Sequence, residues 1–523
     1  MVATKTLTNS TSHSRESGNP VLWKYQHIFF IIIVVSINFS AALFTKSLWG
    51  DEVWSIHCAE KSWNDFFSTL SSDYHPPLYF IFLKFWISFF GNSEISVRIF
   101  QGIQSCFFLF STLFLFRKIF PEKRYHPFFF VFLFSGELWL FSPMIRYYVF
   151  AATLVVSATV FLLQWIETHS KKYFYLLIFN YIALLYTDYP SSIIIVIHGI
   201  YIVFFHKDFF KKFLFATTAV AFAFLPWLII FIRQLQQLHH SPQIADFNTS
   251  PLSIILKFSY SIYAFLFGET VFPSEIITII TVFVLSVIFF VERKNIFKIF
   301  KNHSTIFLLF IISIGILFTS IITTVISQHT SFIYTPSRTF FALPFFFIFL
   351  GKIYSSIEKK IIQQIFIILL LLVNFYSITN WAFNRNFMMP VYASPWKEIF
   401  SSLNKTRGLI ISDESEVYKY YYNQLFDVPY KIFPTLISVQ SLDELKSELS
   451  IHKTKNLFLL TTGRESTELE INTEIIDYLK LHGKKLNEQK FLLIDEDYKK
   501  FKNKILQRSS YDAKFTVTQY QLP

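Results

Sequence analysis

The stretch Pro77–Phe90, PLYFIFLKFWISFF, is apolar enough to enter a bilayer, yet it begins at a proline and holds Lys84 in its middle. It is shorter than the ~20 residues a spanning helix needs and has the length of an interfacial or re-entrant segment. Whether it crosses decides the side on which every later loop lies. Five basic loops follow: Arg117–Arg124 (RKIFPEKR), Ser170–Lys172 (SKK), His206–Lys212 (HKDFFKK), Glu292–Lys301 (ERKNIFKIFK) and Lys352–Lys360 (KIYSSIEKK). If the segment lies along the membrane, all five share the side of the N-terminus, and the positive-inside rule makes that side cytoplasmic. If it crosses, all five are turned outward. The segment is therefore read as non-crossing.

Composition supports the membrane reading. The 523 residues are 53% hydrophobic and 16% charged, with 68 Phe, against about 25% charged in soluble chains. The mean hydropathy is +0.43. Apolar runs long enough to span appear at Ile28–Thr45, Ile95–Phe116, Pro127–Phe141, Tyr148–Trp165, Tyr173–Tyr186, Ser191–Phe205, Phe213–Ile232, Ile276–Val291, Ile306–Ile326, Thr339–Leu350 and Ile361–Ser377. The expected class is an all-α polytopic membrane protein with about eleven transmembrane helices. A formal charge of +12 invites a nucleic-acid reading. The Lys and Arg fall between apolar runs, as topology requires, and form no basic stripe, so no nucleic-acid partner is expected. Cys58 and Cys106 give no disulfide framework. Behind the first apolar run stands no small-residue cleavage site, so it reads as a retained anchor.

Three regions result: a polar cytoplasmic tail, 1–26; a transmembrane domain, 27–380, with a first outer loop, 46–94; and a tail, 381–523. In that tail short apolar runs (GLIIS, NLFLLTT, KFLLIDE) alternate with helical stretches (EVYKYYYNQL, SLDELKSEL, INTEIIDYLKLHG). This predicts a small α/β domain. An odd number of spans places it on the extracytoplasmic face. No Gly-rich phosphate loop follows its first strand.

With this register every loop of unusual chemistry lies outside. In SLWGDEVWSIH (Ser47–His57) the adjacent carboxylates Asp51 and Glu52 suit a general base with a helper, a metal-ligand pair, or merely the start of a solvated helix. In SDYHPPLYF (Ser72–Phe80) two prolines start a helix and hold His75 near the membrane surface, where it can donate to a phosphate. Arg146 in SPMIRYY (Ser142–Tyr148) and Arg338 in YTPSR (Tyr334–Arg338) are either snorkelling side chains or a guanidinium clamp for a lipid phosphate. Asp188 (YTDYP) and Glu137 are ionisable groups at or near membrane depth, each a functional candidate or a structural partner of Arg146. His239 and His240 are adjacent and face apart on a helix, so no zinc site is read there. The long outer loop Arg233–Glu275, with Ser250–Phe267 (SPLSIILKFSYSIYAFLF), has the length and amphipathic composition of a mobile cover.

In these motifs the chain resembles the membrane glycosyltransferases of the GT-C fold, and within them glycosyltransferase family 39, the group of protein O-mannosyltransferases and lipid A aminoarabinose transferases. The resemblance covers about Ile28–Leu350. It rests on the acidic pair Asp51–Glu52, HPPLY at His75–Tyr79, SEISVRIFQ with Arg98, SPMIRYY with Arg146 and Tyr148, LPW at Leu225–Trp227, and Arg338–Pro344. Thr339 stands where the family commonly has Tyr, and Asp188 where many relatives have His. The resemblance implies a polyprenyl-phosphate-linked sugar as donor, transferred with inversion to a glycan, lipid or protein acceptor. It implies Asp51 as general base supported by Glu52. His75, Arg146 and Arg338, with Tyr148 beside them, would bind the lipid phosphate, and Arg98 would order the interfacial segment. No metal and no cofactor are expected. The absence of a lumenal insertion domain points to a bacterial inner-membrane enzyme. Two other readings explain the spans: a polyprenyl-lipid or glycolipid flippase, and a non-catalytic scaffold whose outer domain binds a partner. Against a transporter stand the lack of an internal repeat and the clustering of charge outside.

Overall fold

Ser62 accepts a hydrogen bond from the Asp65 amide and Ser93 one from the Ser96 amide, and each starts a helix at the point where the apolar pattern resumes. Such starts divide the first part of the chain into α1 (Gly50–Glu60), α2 (Trp63–Ser72), α3 (Leu78–Phe90) and α4 (Glu94–Ile119). The computed structural model describes residue 36 and residues 46–73, 75–122, 126–238, 251–326, 336–426, 431–462, 471–492 and 514–523. The expected span Ile28–Thr45, apart from Ser36, lies outside the described residues, as do His239, His240 and Tyr334.

The α3 helix has 13 residues, about 20 Å of length against ~30 Å of hydrocarbon. Lys84, at its middle, does not face lipid. Its ammonium donates to the Ala59 carbonyl at 3.1 Å and to that of Lys61, and it lies 4.9 Å from the Trp63 ring. The lysine thus caps the last turn of α1, which explains a cation inside an otherwise apolar segment. Phe82, Phe85, Phe89 and Phe90 on the other face are exposed.

The bundle continues with α5 (Pro127–Leu133), α6 (Gly136–Phe141), α7 (Tyr148–Thr168), α8 (Lys171–Leu185), α9 (Ile193–Phe205), α10 (Phe210–Leu238), α11 (Pro251–Phe267), α12 (Ile276–Ile299), α13 (His303–Ile326), α14 (Leu343–Ser356) and α15 (Lys360–Ala382). Among the described residues seven helices are long and apolar enough to cross a membrane: α4, α7, α10, α12, α13, α14 with its leading 3-10 turn, and α15. The expected span Pro127–Phe141 is instead two short helices broken at Phe134–Ser135. Among its described residues the expected outer loop is also largely helical. The described part of the cover segment, α11, carries the buried Lys257 and Ser261, which bond Thr324 of α13 and Thr339. That part is built into the bundle.

Lipid tails are as apolar as the side chains, so burial from water does not hold these helices together; close packing does. Aromatic pairs supply much of it, such as Phe108–Phe340 at 5.5 Å and Phe132–Phe347 at 5.6 Å. At the break before α6 the chain needs glycine. A Cβ on Gly136 would lie 3.2 Å from the Cα of Gly268 and against Ser377, and the Gly136 amide is held by Asn374 Oδ1 at 3.0 Å.

The C-terminal region is the expected α/β domain. After α16 (Trp396–Leu403) come β1 (Leu409–Ser412), α17 (Ser415–Phe426), β2 (Thr435–Leu436), α18 (Leu442–His452), β3 (Asn456–Thr461), α19 (Thr473–His482), β4 (Lys484–Leu492) and β5 (Lys514–Gln521). The sheet order is β2-β1-β3-β5-β4. Strands β2, β1 and β3 are parallel; β5 runs antiparallel to both β3 and β4. The edge strand β4 has a register shift between Lys485 and Asn487. Trp396, Phe400, Tyr418 and Phe515 join the same buried cluster as the membrane helices, so the domain is docked rather than tethered.

Candidate functional site

Successive residues on a helix point about 100° apart, and at the start of α1 this separates the two adjacent acids. Asp51 turns outward and leaves its side chain 45% exposed. Glu52 turns inward and is buried. Its carboxylate accepts from the Trp49 amide at 3.2 Å and from the Ile145 amide at 2.8 Å. Burial pushes the Glu52 carboxyl above the usual carboxylate range, against the opposing pull of the Arg98 charge and the two amides. Glu52 is therefore a clamp that fastens the loop before α7 to α1.

That clamp delivers Arg146 to the far side of Asp51. Arg146 is buried, its guanidinium 3.5 Å from the Asp51 carboxylate. It also donates to the Asp51 carbonyl at 3.1 Å, to Ser55 Oγ at 3.0 Å and to His75 Nε2 at 3.0 Å. Burial works against its charge, but Asp51, Tyr148 and Tyr147 more than offset this and raise its pKa. A guanidinium can only donate, so His75 Nε2 must accept and the ring proton sits on Nδ1, which faces Asp73 at 3.3 Å. The result is a chain, Asp73–His75–Arg146–Asp51. Sequence reasoning placed His75 and Arg146 as phosphate donors; the structure brings both into the site but engages them with each other and with the acids.

Arg338, on the 3-10 turn before α14, is half-buried. It donates to the Tyr147 hydroxyl. Tyr148, the neighbour singled out from sequence, is buried against Arg146 and Phe141 instead. Tyr147 was missed, and its only signal was the doubled tyrosine after Arg146. Asp188 lies on the same side. It accepts from the Ser191 amide at 2.9 Å and from the Ser191 hydroxyl. Burial raises its pKa, while the two Ser191 hydrogen bonds and then the Arg338 charge oppose this.

Arg98 ties the site together from behind. It donates to Glu94 at 3.2 Å, to the Pro143 carbonyl at 3.2 Å and to the Lys46 carbonyl at 2.8 Å. Arg98 was expected to order the interfacial segment; its bonds to Pro143 and Lys46 instead tie α4 to the loops before α1 and before α7. Glu137 does not partner Arg146, because Arg146 is taken up by α1 and His75; Glu137 is buried on α6, and the acid whose charge bears on it is Glu269. Among the described residues no group of three or more His, Cys, Asp or Glu side chains stands ready to hold a metal ion.

No family model matches the chain, and no curated protein matches it by sequence. Among solved structures it is similar to ArnT from Cupriavidus metallidurans, whose crystal structure holds undecaprenyl phosphate. The two share 9% identity, with 94% of this chain and 98% of that chain covered and a TM-score of 0.51. At that identity the likeness shows the fold, a GT-C-type membrane bundle that continues into a C-terminal domain.

Proposed function

We propose that the protein is an inverting glycosyltransferase that moves a sugar from a polyprenyl-phosphate donor to an acceptor at the extracytoplasmic face of a bacterial inner membrane. One observation carries the reading: Asp51 is a half-exposed carboxylate held 3.5 Å from a buried arginine, on a face where the other charged side chains are engaged. Its outer oxygen is the base that takes the proton of an acceptor hydroxyl or amine. The acceptor atom then bonds to the anomeric carbon as the bond from that carbon to the phosphate oxygen breaks.

Negative charge grows on the leaving phosphate during this step, and a fixed cation there lowers the barrier differentially. Arg338, oriented by Tyr147, is the donor best placed for that role. Arg146, itself bonded to His75, holds Asp51 in place and adds its positive field. The likeness to a structure with bound undecaprenyl phosphate supports a polyprenyl lipid as the carrier.

The test is transfer of radiolabelled sugar from a panel of undecaprenyl-phosphate sugars in membranes, comparing wild type with Asp51→Asn. Label reaching a product only when Asp51 is intact supports the reading. Full activity of Asp51→Asn overturns it. Lipid transport is the second reading, and the buried Glu137 and Glu269 favour it. It requires that label cross the membrane without changing its carrier.

A further inference from the structure

The α/β domain reaches the catalytic helix along its whole length. Before α1 the Leu48 amide donates to the Tyr421 hydroxyl at 2.7 Å, a buried contact. At its first residue, Gly50, a Cβ would meet Glu414 Oε2 at 3.4 Å. Two turns on, His57 Nδ1 lies 2.6 Å from Glu416 Oε2. At its last residue Glu60 accepts from the Asn92 side-chain amide, while Tyr420 donates to the Asn92 backbone carbonyl at 3.0 Å and Gln424 to Asn92 Oδ1 at 3.2 Å. Tyr421, Glu416, Tyr420 and Gln424 all lie on α17, and Glu414 immediately precedes it.

An isolated helix of 11 residues is marginal on its own, so its position is set by what it packs against. The membrane bundle holds one side of α1 through Glu52 and Arg146. The opposite side is held by α17. We propose that α17 is a positioning element of the active site, and that Tyr421 and Glu416 set where Asp51 stands relative to the donor. Neither residue touches the reacting atoms; both act through α1. The inference rests on Asp51 being the base.

The experiment compares full-length Tyr421→Phe and Glu416→Gln with Tyr418→Phe, each in nanodiscs. Tyr418 is on the same helix, but its hydroxyl bonds the Pro434 carbonyl inside the domain. With undecaprenyl-phosphate-linked radiolabelled sugar, Tyr421→Phe is expected to lower kcat about tenfold with the donor KM unchanged, since small misplacements of a catalytic group are costly. Glu416→Gln is expected to lower it less, and Tyr418→Phe to leave it at wild-type level. A nitroxide on Asp51→Cys reads the same displacement without turnover: its spectrum is expected to sharpen with Tyr421→Phe and not with Tyr418→Phe. Equal kcat values for Tyr421→Phe and Tyr418→Phe, or equal nitroxide spectra, overturn the inference. Asp51→Asn is run alongside. If it is active, the base assignment fails; if it is inactive while Tyr421→Phe turns over like wild type, only the positioning role fails.

Discussion

The two ends of the helical bundle use charge in opposite ways. At the end carrying Asp51, the side chains of Arg98, Glu52 and Arg146 are buried, and each joins several elements at once. Arg98 links α4 to two loops, Glu52 links α1 to the loop before α7, and Arg146 links that loop to α1 and to His75. At the other end Lys118 meets Glu167, whose side chain is 62% exposed, and His126 meets Ser355 at 3.1 Å. The remaining lysines there are largely on the surface. Charges of the second kind act by their sign and side, so one can stand in for another. Charges of the first kind act by geometry, and removing one leaves its partners buried and unsatisfied.

That contrast can be broken by substitution at either end. Asp51→Asn keeps the shape and removes the proposed base, and transfer is expected to fall by about 10²-fold or more, read as label moved per minute. Arg146→Lys retains charge but cannot reach the Asp51 carbonyl, Ser55 and His75 together. It is expected to lose about tenfold to a hundredfold in kcat, with the donor KM less affected. A fully active Arg146→Lys protein would erase the distinction between the two ends.

Glu52 sharpens the comparison through stability. Glu52→Ala leaves the Ile145 and Trp49 amides without their acceptor and is expected to cost about 1–3 kcal/mol, measured by thermal unfolding in nanodiscs. Glu52→Gln tests the titration. Because burial raises the folded pKa, the unfolded carboxyl ionises first as pH climbs above its ordinary value of 4.5. Stability from Glu52 is therefore complete below that value and is lost as pH rises through the folded one. The glutamine variant lacks this loss, so its Tm relative to wild type is expected to climb with pH over that window. At the opposite end Lys118→Ala removes a pair with an exposed partner and is expected to change stability by less than about 0.5 kcal/mol.

Much of this was legible in the residues. Hydropathy located the seven long helices, and strand-helix alternation located the α/β domain, because both are periodic signals. Charge bias kept α3 out of the spans. Lys84 then proved to cap α1, a contact that needs the tertiary arrangement. Asp51, His75, Arg146 and Arg338 were read as one face and do converge. Their division of labour was not legible, because it depends on which face of α1 each acid takes and on Arg146 forcing the His75 tautomer. The break at Phe134–Ser135 escaped because a hydropathy window averages over it. The docking of α11 escaped because length and amphipathic composition do not show what a segment packs against.

The edge strand β4 has a consequence of another kind. Among the described residues no strand pairs with its outer side, and such an edge is the usual route by which β-proteins aggregate. Here Lys484, Lys485 and Lys490 stud that strand, and the register shift at Lys485–Asn487 spoils its straightness. A second copy approaching in register would bring lysine against lysine and a kink against a kink. For copies crowded in one membrane plane, both features disfavour joining sheet to sheet.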